Sequence, residues 1–142
     1  KDFFIDPYQV YEAKHIGADC ILIIMAMLDN KTADLLFNLS KDIKIDSIFE
    51  VHNESEYDRA IELGAEIIGI NNRNLHNFET NIQNTISIAK KFDNSKIIIS
   101  ESGIFDKKDI AKLSQYGVHG YLIGESIMKS DNIVHKIKEL IN

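Results

Sequence analysis

A chain of 142 residues is long enough for one domain with a core of its own and too short for two ordinary ones. Hydrophobic residues make up 44% and charged residues 27%, a globular composition, and 16 Lys plus Arg against 22 Asp plus Glu leave a net charge of -6. That balance weighs against a nucleic-acid partner, which needs a basic face, but leaves room for a small anionic substrate, since backbone N–H groups at a helix N-terminus can hold a phosphate.

In chain order, the elements alternate between short apolar runs and amphipathic stretches. Helices are expected over 7–15, 31–39, 54–63, 81–92, 107–116 and 132–141. The spacing of Tyr57, Ala60 and Ile61 illustrates the helical period, and Pro7, the only proline, sits where a first helical turn tolerates it. Strands are expected over 21–27, 47–51, 66–70, 96–99 and 118–123. These runs lack in/out alternation, which suits strands covered on both faces of a parallel sheet. Gly17, Gly64 and Gly117 each fall where a helix ends and a strand is about to begin, a position that favours a left-handed residue.

The single cysteine, Cys20, lies in the apolar run Cys20 to Ile24. A buried free thiol in a reducing cytoplasm is the expectation. The apolar stretch stops at Asp29, too short to span a bilayer, and no signal peptide is visible. The chain does not begin with Met and reads as a piece of a longer protein.

A repeated βα unit implies a parallel sheet with right-handed crossovers, either a doubly wound open sheet or a (βα)8 barrel. No G-x-G-x-x-G or Walker A pattern follows any strand, so a nucleotide-binding fold loses its best support and no cofactor is expected. Five complete strands are too few to close a TIM barrel, so the barrel reading makes residues 1–142 a single partial-barrel domain: about five βα units and the end of a preceding strand.

Barrel chemistry sits at the C-terminal ends of strands. Those ends carry Lys1-Asp2-Phe3, Phe49-Glu50-Val51, Asn71-Asn72-Arg73, Ser100-Glu101-Ser102-Gly103 and Ile123-Gly124-Glu125-Ser126. Each has a plainer explanation. Glu50 could escape to solvent, Asn71 and Asn72 could cap a turn, and the glycines could be ordinary strand-to-helix turns. The five histidines (15, 52, 76, 119 and 135) show neither metal-ligand spacing nor a visible acid partner, so surface or turn roles are expected for them.

Taken together, these segments resemble the indole-3-glycerol-phosphate synthase family. Lys1-Asp2-Phe3-Phe4-Ile5-Asp6 is similar to its K-D-F-I segment, Ile48-Phe49-Glu50-Val51-His52 to L-V-E-V-H, and Ile68 to Leu75 to I-G-I-N-N-R-D-L. Ser100 to Ile104 matches S-E-S-G-I, and Leu122 to Met128 matches L-I-G-E-S-L-M. The resemblance covers essentially the whole chain, in order.

The resemblance implies a carbon–carbon lyase of tryptophan biosynthesis. Such an enzyme closes the pyrrole ring of 1-(2-carboxyphenylamino)-1-deoxyribulose 5-phosphate with loss of carbon dioxide and water. It makes Lys1 the general acid of the condensation and Glu50 an acid/base group for the dehydration. Asn71 positions substrate, Arg73 lies near the anthranilate carboxylate, and Glu101 and Ser102 line the pocket. Phe3, Leu22, Ile24 and Leu75 form apolar walls. Gly103, Gly124 and Glu125 offer N–H groups to the phosphate, the Glu125 side chain pointing away. Lys1, Glu50, Asn71 and Glu101 are then expected to face one cavity.

Two departures stand out. Asn74 replaces a more usual aspartate. The family's N-terminal helical extension and first two strands, with a second lysine and a glutamate in an E-I-K-x-x-S-P motif, have no counterpart between Lys1 and Asn142. The piece alone is therefore expected to be weak or inactive, with open barrel edges that favour self-association. The alternatives are another phosphate-binding barrel, such as a phosphoribosylanthranilate isomerase, and a non-catalytic half-barrel module.

Overall fold

The computed structural model describes residues 2–92 and 95–141. Strands and helices alternate as α1 (Pro7–His15), β1 (Cys20–Ile24), α2 (Asn30–Asp42), β2 (Asp46–Val51), α3 (Glu54–Glu62), β3 (Ile67–Asn71), α4 (Gln83–Ile88), β4 (Ile97–Glu101), α5 (Lys107–Ser114), β5 (Gly120–Leu122), α6 (Glu125–Met128) and α7 (Ile133–Ile141). The strands hydrogen-bond in sequence order, β1-β2-β3-β4-β5, with β1–β2 and β4–β5 in parallel register. This is the parallel α/β arrangement of a partial TIM barrel. The chain forms two compact units, Lys1–Gly69 and Ile70–Asn142, with the boundary inside β3.

In the first unit, Asp6 caps α1 by accepting the Tyr8 N–H, and Gln9 returns its side chain to the Asp6 N–H, so Pro7 occupies a helix position that needs no donor. Asp29 caps α2 at Thr32, which starts that helix at Asn30; the helix runs to Asp42, beyond the expected Leu39. Phe49 of β2 meets Phe37 of α2 edge-on, ring centroids 4.9 Å apart, and both lie in a core with Val10, Ile23, Leu36, Val51, Ala60 and Ile68. Lys41 lays its ammonium over the outer face of Phe37.

The expected strand 21–27 is shorter at its C-terminal end. After Ile24 the chain turns, with the Met27 N–H donating to Ile24 O. The cause is Arg59 of α3, whose guanidinium donates to Met25 O at 3.0 Å, Leu28 O at 2.7 Å and Asn30 Oδ1 at 2.7 Å. The Met25 carbonyl, which would continue the ladder, and the Leu28 carbonyl beyond it are turned to a cation instead. Cys20, expected in the core, is half-buried at the start of β1; burial and the nearby Asp46 carboxylate both push its thiol up.

In the second unit, Ile86 and Ile88 of α4 join Ile70, Ile98, Ile104, Leu113 and Leu140 in the core. Helix α4 is shorter than the expected 81–92. It begins at Gln83 because Asn81 Oδ1 and Asn72 Oδ1 receive the N–H groups of Gln83 and Thr85, and it tightens into a 3-10 turn at Ala89–Lys91. Asp106 and Asp109 form a reciprocal cap that starts α5 at Lys107, leaving Lys107 and Lys108 as the helix start expected for them. Strand β5 begins at Gly120 rather than Val118. Upstream of it, the His119 N–H donates to Ile98 O, and His119 Nδ1 accepts the Ile98 N–H. A side chain thus takes the place of a strand residue. Helix α6 has no counterpart among the expected elements.

Candidate functional site

Glu50, at the end of β2, is 2% exposed. An ionised carboxylate at that depth is costly without partners, and His52 stands next to it. His52 Nε2 lies 3.4 Å from Glu50 Oε1, while His52 Nδ1 lies 3.3 Å from Glu56 Oε2. Glu56 is fixed in turn, its Oε2 accepting the His52 backbone N–H at 2.8 Å and its Oε1 the Asn53 amide at 2.7 Å. Asn53 caps α3 at the Glu56 N–H. Burial pushes the Glu56 carboxyl up, but the hydrogen bonds and charge of His52 and the Asn53 amide outweigh it and hold the group below its ordinary value.

The expectation that no histidine has an acid partner is therefore overturned for His52. A signal was present. Glu50 and His52 are two apart at a strand end, and His52 and Glu56 are four apart across a capping asparagine.

In the second unit, Asn71 and Glu101 end β3 and β4 and are also buried. Asn71 Oδ1 accepts the Arg73 N–H at 3.0 Å, so the turn-capping explanation holds for it at least in part. Asn72 does more. Its amide donates to Ser100 Oγ and Ser102 O and accepts from the Thr85 N–H and hydroxyl, while its backbone N–H donates to Glu101 O. Thr85 and Ser100 hydroxyls close the network at 2.9 Å. This neutral cluster joins β3, β4 and α4.

The following loop turns through Phe78, at φ 60°, and closes by an Arg73–Thr80 antiparallel bridge. Asn74 Oδ1 accepts the His76 N–H at 2.8 Å, a role an aspartate fills equally well, which accounts for that departure from the family pattern.

Ser102 and Gly103 both take positive φ, 64° and 69°. A methyl group at Gly103 would meet Thr80 Cβ at 2.9 Å, so this glycine is required by backbone conformation and by close packing. Gly124, at φ −115°, has nothing within 4 Å of where a Cβ would stand. The loops after β4 and β5 are tied by Ser126 Oγ donating to Ile104 O at 2.8 Å and the Ser102 N–H to Leu122 O.

Glu125 opens α6, and its carboxylate reaches Lys129 Nζ at 2.6 Å and Arg73 Nη2 at 2.5 Å. The hydrogen bonds from Lys129 and then Arg73 hold it below its ordinary value. Arg73, expected near a substrate carboxylate, thus holds a carboxylate of the chain itself.

The remaining expected residues divide by burial. Leu22 and Ile24 are buried, Phe3 and Leu75 are exposed, and Lys1 lies outside the described residues. Among the described residues, no group of three His, Cys, Asp or Glu side chains could hold a metal ion. No helix among them is long and apolar enough to cross a membrane.

The family model described as indole-3-glycerol phosphate synthase matches residues 1–140. The chain belongs to that family. The indole-3-glycerol phosphate synthase of Legionella pneumophila strain Paris is 44% identical over 141 residues, covering 99% of the chain and 55% of that protein. That of Caldanaerobacter subterraneus subsp. tengcongensis is 45% identical, again over 99% of the chain and 54% of the relative. The chain thus spans about half the length of the curated relatives it matches. Among solved structures, 3-hexulose-6-phosphate synthase from Salmonella typhimurium superposes with a TM-score of 0.81 at 13% identity, covering 96% of the chain and 67% of that structure. Thiamine phosphate pyrophosphorylase from Pyrococcus furiosus superposes with a TM-score of 0.72 at 15% identity, covering 92% of the chain and 61% of that structure. Likeness at such low identity concerns the fold alone.

Proposed function

We propose that the protein carrying this chain is an indole-3-glycerol-phosphate synthase. It closes the indole ring of 1-(2-carboxyphenylamino)-1-deoxyribulose 5-phosphate with loss of carbon dioxide and water, in tryptophan biosynthesis in the cytoplasm. Glu50 carries this reading: a carboxylate buried at a strand end beside a histidine, where apolar packing alone would place a hydrophobic residue.

In the proposed reaction, Lys1 protonates the ribulose carbonyl oxygen as the aromatic carbon attacks, and decarboxylation restores the aromatic ring. Glu50 then exchanges protons during dehydration. Asn71 and Glu101 position the reacting groups, with Ser102 beside them. Phe3, Leu22, Ile24 and Leu75 form the apolar walls. Arg73 exchanges Glu125 for the anthranilate carboxylate. The phosphate rests on backbone N–H groups at Gly103, Gly124 and Glu125, whose side chain is already drawn to Arg73 and Lys129. Residues 1–142 act as one partial-barrel domain without a cofactor, and self-association through open strand edges belongs to the same proposal.

The test is turnover of that substrate by the complete protein carrying this sequence. Glu50→Gln is expected to lower kcat by roughly 10²–10⁴-fold, the usual contribution of a general acid or base, with its circular dichroism unchanged. A parent protein that does not turn the substrate over, or a fully active Glu50→Gln, sinks the reading.

A further inference from the structure

His52 has no role in the reaction as proposed, yet it is the group that lies between Glu50 and the capped end of α3. Its ring is 12% exposed and bracketed by two carboxylates on opposite nitrogens. The partners differ in kind. Glu56 is held at both oxygens by the His52 N–H and the Asn53 amide, and it sits in the first turn of α3, where the helix dipole favours a negative charge. It therefore acts as an acceptor only, and an acceptor at Nδ1 selects the tautomer with the proton on Nδ1.

That selection turns Nε2 toward Glu50 Oε1. Once the pair tightens around substrate, Nε2 is placed to accept from a protonated Glu50 carboxyl or, with the ring protonated, to donate to the carboxylate. At 3.4 Å the two groups are within ion-pair distance but not aligned as a hydrogen bond, a looseness common for catalytic pairs before substrate binds.

We propose that His52 is a positioning residue for Glu50: anchored at Nδ1 by Glu56, it orients the Glu50 carboxyl and shares with it the single proton exchanged during dehydration. The proposal rests on the acid/base reading of Glu50. In balance, a proton taken from substrate by Glu50 passes from Glu50 Oε1 to His52 Nε2, and the same proton returns by the reverse path to protonate the departing hydroxyl. Glu56 keeps its charge throughout and neither gains nor loses a proton.

A histidine that only helps to cap α3 would affect stability alone. The measurements are therefore kcat and KM of the complete protein with His52→Gln, Glu56→Gln and Glu50→Gln, singly and with each of the first two combined with the third. His52→Gln and Glu56→Gln are each expected to lower kcat about 10- to 100-fold, the range seen when a group orienting a functional side chain is removed, with KM within about twofold. Added to Glu50→Gln, neither lowers kcat further, because residues acting as one unit are not additive.

If Glu50→Gln is inactive while both other variants keep kcat within about twofold of the parent, the role of His52 is refuted and that of Glu50 stands. If Glu50→Gln is fully active, both fall. Should His52→Gln fail to fold, nitrogen NMR of histidine-labelled protein decides independently. The signal displaced by Glu56→Gln is expected to report a proton on Nδ1 in the parent. A proton on Nε2 alone overturns the proposal.

Discussion

Two buried polar clusters lie at strand ends, one in each unit, and they differ in what they leave to do. The Asn72–Thr85–Ser100 cluster is neutral, and its donors and acceptors are matched by one another and by backbone groups. Nothing in it titrates near neutral pH. The Glu50–His52–Glu56 cluster has two carboxylates and one imidazole, and the number of protons it holds is not fixed by its geometry. A closed neutral network makes a joint; an open ionisable one can carry a reaction. Both arise from short polar residues at the end of an apolar strand, so burial alone does not separate structure from chemistry.

Breaking the neutral joint should give the largest loss of stability. Asn72→Ala strands the Thr85 N–H, takes the amide donor from Ser102 O and Ser100 Oγ, and opens the attachment of α4. It is expected to cost about 3 kcal/mol in denaturant unfolding, since each buried polar group left without its bond costs roughly 1–3 kcal/mol. Glu50→Gln should leave that midpoint nearly unchanged while lowering kcat by roughly 10²–10⁴-fold. If Asn72→Ala proves neutral for stability, the contrast fails.

A smaller effect separates the two glycines. Gly103→Ala must place a side chain at positive φ against Thr80, at a cost of about 2 kcal/mol, whereas Gly124→Ala should stay within about 0.5 kcal/mol of the parent. If phosphate rests on the Gly124 backbone, that second variant instead raises KM.

The smallest effect is the pH dependence of Glu56. Its folded-state value is depressed, so its contribution to stability is complete above its unfolded value and is lost as pH falls through the folded one, in the acid range below 4.5. Acid unfolding of Glu56→Gln should lack that part of the slope. An identical acid profile would mean that His52 does not stabilise the charge.

Strand and helix order, the family and the glycines that end helices were legible because each is carried by local pattern. What escaped was set by residues distant in sequence. The apolar run to Met27 gives no hint that Arg59 will bend it, and His119 reads as a turn residue until its ring is seen replacing a strand acceptor opposite the Ile98 N–H. The family motifs single out Glu50 and make His52 an ordinary member of L-V-E-V-H, because a one-dimensional motif does not show which nitrogen faces which oxygen. The family pattern points Arg73 toward a ligand, whereas its partner in the structure, Glu125, lies 52 residues away. Pairing at such separation leaves no periodic trace.

The guanidinium of Arg59 also sets an order in time. Its three acceptors lie 29, 31 and 34 residues earlier in the chain, so the bend after β1 cannot take its final shape until α3 has formed and docked. Before that, residues 21–27 are a free apolar segment whose local preference is to remain extended. Closing a loop of that length has an entropic cost that must be met before the three hydrogen bonds form. As the chain leaves the ribosome, the loop at the C-terminal end of β1 is therefore among the later parts of the first unit to settle. Losing Arg59 would slow that settling and leave an extended, sticky strand end exposed for longer, a hazard for aggregation more than for catalysis.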